Sequence, residues 1–156
     1  MIKIAIDCLG GDKSPDANIK GALSALKNHS DLSVLLFGDQ AVLNEKLKSE
    51  TYDKSRVEIV HAPEVVTGDD KPIDAFRLKK QSSMISAISR LREDESVSAL
   101  VSSGSTAVLV GTSILRIGRT EGVRRPAFCP ILPTMAGGVV GVCDSGANLD
   151  CSPLQL

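Results

Sequence analysis

The hydroxyl-rich stretch Ser102-Ser103-Gly104-Ser105-Thr106 holds the residues best suited to chemistry. Its hydroxyls can donate to an anionic oxygen, and Ala107, Val110, Ile114 and Ile117 then recur at helical spacing. A helix opening here presents unpaired N–H groups and the positive end of its dipole beside those hydroxyls, a setting that suits phosphate. The same residues also suit a plain structural task, with Gly104 turning the backbone and Ser105 or Thr106 capping the helix. Neither G-x-G-x-x-G nor G-x-x-x-x-G-K-[ST] is present, so no nucleotide fingerprint is found.

Two further clusters pair carboxylates with glycine. Asp7 precedes Gly10-Gly11-Asp12, and Asp144-Ser145-Gly146-Ala147-Asn148 ends a later apolar run. Asp144 and Asn148 either orient phosphate or a helper water, or form an Asx turn that braces Gly146. Asp7 and Asp12 either hold the Gly10-Gly11 turn through its N–H groups or take a catalytic role. Cations gather at Arg77, Lys79 and Lys80, and again at Arg116, Arg119, Arg124 and Arg125 around a turn. The second group is the better docking patch for an acidic partner, although charge runs commonly form solvated faces. His61 ends an apolar run and is a possible base.

These clusters require strands that deliver them to one edge. Ile2, Ile4 and Ile6 alternate in a strand ending at Asp7, and Ser14-Pro15-Asp16 starts a helix with Ile19, Ala22, Leu23 and Leu26 on one face. Leu32 to Phe37 is an apolar run typical of a strand covered on both faces, followed by a helix carrying Val42, Leu43 and Leu47. Arg56 to His61 gives a third strand, Ala62 to Lys71 an irregular loop, Pro72 a helix start, and Met84, Ile85, Ile88 and Leu91 an amphipathic helix. Ala99 to Val101 is the fourth strand. Strands alternating with helices predict an open, mostly parallel sheet between helical layers, with ligands at the carboxyl ends of its strands. The loops at Gly10, after His61 and at Gly104 therefore belong on one rim. Ala127 to Leu132 and Val139 to Cys143, joined through Gly137-Gly138, read as a hairpin.

The 156 residues, 42% hydrophobic, suffice for a single α/β domain spanning 1–156. A net charge of -1 and only 3% aromatics argue against a nucleic-acid binder. Cys8, Cys129, Cys143 and Cys151 show no metal-ligand spacing, which predicts reduced packing thiols, no metal and a cytoplasmic setting. Neither a signal peptide nor a membrane-length apolar run is present in these residues.

Several ordered blocks, read together, resemble the PlsX-type phosphate acyltransferases of bacterial phospholipid synthesis. They are D-x-x-G-G-D at Asp7 to Asp12, K-K-x-S-S-M at Lys79 to Met84, E-G-x-x-R-P-A at Glu121 to Ala127, L-P-T at Leu132 to Thr134, and D-x-G-A-N-x-D-C at Asp144 to Cys151. Where the family reads S-A-G-N-T-G-A this chain has Ser102-Ser103-Gly104-Ser105-Thr106-Ala107, so Ser105 stands in place of the usual amide and one glycine is lost. The resemblance implies a three-layer sandwich similar to phosphotransacetylases and the isocitrate dehydrogenase group. It also implies that this chain corresponds to the N-terminal half of a longer enzyme. That enzyme would move a fatty acyl group from acyl carrier protein to inorganic phosphate, as a cofactor-free homodimer working beside a membrane-bound downstream acyltransferase. Under this resemblance Gly10, Gly11, Ser102, Gly104, Ser105, Thr106 and Gly146 bind phosphate. Asp12, Asp144 and Asn148 are the catalytic candidates, and Arg116, Arg119, Arg124 and Arg125 dock the carrier protein.

Overall fold

The computed structural model describes residues 1–123 and 126–143. The chain divides into two compact units, Met1–Ile117 and Gly118–Leu156. The first holds a parallel sheet of β1 (Ile2–Asp7), β2 (Leu32–Gly38), β3 (Val57–His61) and β4 (Val97–Val101), in the order β3-β2-β1-β4. Each strand pairs in parallel with its neighbours, as expected when helices return the chain across the sheet. All four carboxyl ends therefore lie on one edge.

Helices cover both faces. On one, α1 (Asp16–Asn28) and α2 (Gln40–Leu47) pack Ile19, Leu23, Leu26, Leu43 and Leu47 against Ile6, Val34 and Leu36. On the other, Ala5, Leu35 and Phe37 meet Ala87 of α4 (Ser83–Glu93). Alternate residues of β1 and β2 thus feed opposite layers, which is why Leu32 to Phe37 reads as a continuous apolar run. A third cluster joins Ala75 of α3 (Pro72–Leu78), Met84, Ile85 and Ile88 of α4, and Val108 of α5 (Thr106–Arg116). This is the α/β three-layer arrangement that the alternating pattern predicts.

The caps follow local chemistry. Asp39 accepts from the N–H groups of Ala41 and Val42, Ser82 from Ile85, and Ser105 from Val108. Pro72 occupies the first turn of α3, while Pro15 sits just outside α1 as its N-cap rather than inside it. Two helical faces differ from expectation. Val42 is 41% exposed, because Leu43 and Leu47 alone meet the sheet. In α5 the fully buried positions are Val108 and Thr112, whereas Ala107 and Ile117 are exposed. The buried stripe is rotated because α5 packs on α3 and α4 and not on the sheet alone.

In the second unit, β5 (Ile131–Pro133) and β6 (Val139–Gly141) form the expected hairpin, antiparallel and exposed throughout.

The Thr112 hydroxyl is buried with no hydrogen-bond partner among the described residues. Thr112→Val keeps the shape and removes the desolvated hydroxyl, so the variant should gain about 1 kcal/mol in urea unfolding.

Candidate functional site

Asp7 ends β1 and is 1% exposed. Its Oδ1 accepts from the N–H groups of Leu9 (3.3 Å) and Gly10 (3.1 Å) and from Ser83 Oγ (2.5 Å). Its Oδ2 accepts from Ser102 Oγ (2.7 Å). One carboxyl therefore joins the turn after β1, the start of α4 and the loop after β4. Ser102 Oγ in turn accepts from Gly104 N–H (3.1 Å), and Ser103 Oγ donates to Gly10 O (2.8 Å). Asn18 of α1 closes the other side by donating to Asp7 O (2.7 Å) and Gly10 O (3.1 Å).

Two glycines allow this approach. A Cβ on Gly10 would lie 2.4 Å from Asp7 Oδ2 and 2.8 Å from Gly104 N, and one on Gly104 would lie 2.6 Å from Met84 Cε. The first would collide with the carboxyl and backbone of the site itself, whereas the second meets the far end of a flexible side chain that must shift. Gly11, with φ of +95°, makes the turn that follows.

The loop after His61 reaches the same edge. Ala62 N–H donates to Gly38 O (2.8 Å) and Ser83 N–H to Glu64 O (3.1 Å), while Glu64 Oε2 accepts from Gln81 N–H (2.9 Å). Lys79 is spent on this loop: its Nζ meets Asp70 Oδ2 at 2.6 Å and Val65 O at 2.9 Å. The Lys79 hydrogen bond, followed by the Thr67 N–H, lowers the Asp70 pKa below its ordinary value. His61 Nδ1 accepts from Gln40 N–H at 3.2 Å.

The structure thus brings Gly10, Gly11, Ser102, Gly104, Ser105 and Thr106 together with Asp7, and places exposed Asp12 in the adjoining turn. The serines of this group already hold protein partners. Ser102 and Ser103 build the rim and Ser105 caps α5 at 3.5 Å. Thr106 opens α5, whose first N–H groups have no acceptor within the helix. Asp144, Gly146 and Asn148 lie outside the described residues, as do Arg124 and Arg125. Arg116 binds Glu93 Oε1 (2.8 Å) and Ser89 Oγ (3.1 Å), tying α5 to α4, and Arg119 belongs to the second unit.

Sequence reasoning missed Asn18 and gave Ser83 no acceptor. Their partners are distant in sequence, and the one available signal was a polar residue beside an apolar helix face. Beside α1 runs a groove of about 570 Å³, floored by Ile4, Ile6 and Val101 and ending near Asn18 and Ser103. Among the described residues, no group of three His, Cys, Asp or Glu side chains is placed to hold a metal. No helix there is long and apolar enough to cross a membrane.

A family described as "Fatty acid synthesis protein" matches residues 2–156. The chain belongs to this family. It is 36% identical over 155 residues to a phosphate acyltransferase from Clostridioides difficile, covering 99% of this chain and 45% of that protein. Phosphate acyltransferases of Listeria innocua and Thermoanaerobacter pseudethanolicus are 39% and 40% identical over the same length, with 44% and 45% of each covered. The chain therefore spans a little under half the length of these family members, and the rim around Asp7 lies inside the matched half.

Removing the Asp7 carboxyl strips two hydroxyls and two N–H groups of a shared acceptor. Asp7→Ala should cost roughly 3 kcal/mol or more in denaturant unfolding. The Asp70 clamp has its own pH signature. Because the folded carboxyl has the lower pKa, its contribution is complete above about pH 4 and is lost as pH falls through the lowered folded value. By NMR, the Thr67 amide should titrate below the ordinary aspartate range in the parent, and Lys79→Ala should move that titration upward.

Proposed function

We propose that this chain supplies the phosphate-binding rim of an acyltransferase that moves a fatty acyl group from acyl carrier protein to inorganic phosphate. The product, an acyl phosphate, would feed phospholipid synthesis. The observation that carries this reading is the junction of the Gly10 turn, the start of α4 and the Gly104 loop around Asp7, directly where α5 opens. Phosphate is itself the nucleophile in this reaction, so the protein's task is to hold it against the thioester carbonyl, stabilise the oxyanion and let the thiol leave.

Ser102 and Ser103 give their protons to Asp7 and Gly10 O, and Ser105 Oγ takes the Val108 N–H, so the groups offered to phosphate at the rim are the N–H groups of Thr106 and Ala107 and the Ser105 and Thr106 hydroxyls. Asp12, Asp144 and Asn148 are the candidates for orienting phosphate or a water, and Gly146 for approaching it closely. Docking of the acidic carrier protein is assigned to Arg116, Arg119, Arg124 and Arg125, of which Arg116 also pairs with Glu93. Homodimer formation, a cytoplasmic setting and contact with a membrane-bound acyltransferase belong to the same reading.

A thiol-release assay tests it by offering long-chain acyl carrier protein and coenzyme A thioesters side by side with inorganic phosphate. Phosphate-dependent release from the carrier donor is expected. Exclusive use of the coenzyme A donor would instead mark a phosphotransacetylase, and carrier-protein retention without phosphate binding would mark a docking domain. Thr106→Ala should weaken phosphate binding in calorimetry by roughly 1 to 2 kcal/mol while leaving the unfolding transition in place. Unchanged affinity would make Thr106 a capping residue only.

A further inference from the structure

The hairpin of the second unit carries two thiols that the rim does not use. Its ladder sets Ile131 opposite Gly141, Leu132 opposite Val140 and Pro133 opposite Val139. Thr134 N–H donates to Gly138 O (2.9 Å) and Val142 N–H to Pro130 O (3.1 Å). Residues 134 and 138, and likewise 130 and 142, are therefore hydrogen-bonded pairs, and the ladder extends beyond β5 and β6. Hydrogen-bonded and non-hydrogen-bonded pairs alternate along an antiparallel ladder, and the latter bring opposing Cα atoms to about 4.5 Å. Carried one step further, to where Cys143 begins a turn, the same register would set Cys129 opposite Cys143 at a non-hydrogen-bonded position. That separation falls within the roughly 4.4 to 6.8 Å between Cα atoms that a disulfide bridges.

Side-chain direction agrees. Strand alternation puts Cys129, Ile131 and Gly141 on one face of the hairpin and, if carried on to residue 143, Cys143 as well. A Cβ on Gly141 would lie 3.3 Å from Cys129 Sγ, so this thiol reaches the opposing strand at the position diagonal to it, two residues before Cys143, where no side chain stands in its way. Both cysteines are free and exposed.

We propose that Cys129 and Cys143 close a reversible cross-strand disulfide, making this hairpin a thiol-disulfide switch. The oxidant is a small-molecule disulfide of the glutathione class. One cysteine thiolate attacks it, forming a mixed disulfide and expelling the first small thiolate. The opposing cysteine then attacks the protein sulfur of that mixed disulfide and expels the second. Two protein thiols are oxidised, one small disulfide is reduced to two thiols, and the protons leaving the cysteines end on the expelled thiolates. Cys143 directly precedes Asp144, so the bridge would pin the chain where the Asp144 to Asn148 block begins.

The test is to incubate the purified chain with oxidised glutathione, block remaining thiols with N-ethylmaleimide, digest without reductant and map linked peptides by mass spectrometry. The expected product is an intramolecular 129–143 link, with two thiols per chain lost and both recovered in dithiothreitol. Cys129→Ser and Cys143→Ser should each abolish the link, whereas Cys8→Ser and Cys151→Ser should retain it. Mapping the parent protein keeps the result independent of how any variant folds. A stable glutathione adduct at either position, a link to Cys151, a link between two chains or no loss of thiols would each overturn the proposal.

Discussion

A carboxyl sealed from water must be given donors by the protein, and in this fold three separate chain segments give them to Asp7. With 1% of the residue exposed, the side chain accepts from two N–H groups of its own turn, from Ser83 at the start of α4 and from Ser102 after β4. Leaving such a group unsatisfied costs more than a typical surface contact provides. The Gly10 turn, the α4 cap and the Gly104 loop are therefore fixed to one another, and the absent side chains of Gly10 and Gly104 permit the contact. The parallel sheet brings these segments to one edge, while Asp7 sets their spacing.

This arrangement changes how the hydroxyl-rich stretch is read. Ser102 and Ser103 face inward to Asp7 and to Gly10 O, and Ser105 turns back to cap α5. Ser102 and Ser103 thereby brace the loop that leads into α5, while Ser105 accepts in its cap and keeps its own O–H to donate. The substitution of Ser105 for the family's usual amide falls on that capping position, where a hydroxyl oxygen suffices as acceptor.

The sheet and most helices were legible because burial on both faces writes itself into composition. Leu32 to Phe37 has nowhere to go but the middle of a parallel sheet, and Ile19, Ala22, Leu23 and Leu26 match the buried face of α1. The hairpin was legible from its glycines and flanking apolar runs. The stripe on α5 was less so, because a helix packed against two other helices need not bury the face that apolar periodicity favours. Lys79 reads as a free cation in a basic run, yet Asp70 takes it through a loop contact that no local pattern encodes. The convergence at the rim was legible from topology, whereas Asp7 as its centre was not. Its hydroxyl partners lie 76 and 95 residues away. Asp144, Gly146 and Asn148 lie outside the described residues, so that part of the candidate site stays a sequence expectation.

Cys8 follows Asp7 on the same strand end and is the thiol nearest the rim in sequence. Burial, and then the neighbouring Asp7 charge, push its pKa up to about 12. At neutral pH such a thiol is almost entirely protonated, and the thiolate is the nucleophilic form. The carboxyl that organises the rim therefore also helps keep the adjacent sulfur inert. An acyl thioester brought there would meet a thiol unfit to attack it, and the proposed transfer uses no acylated cysteine.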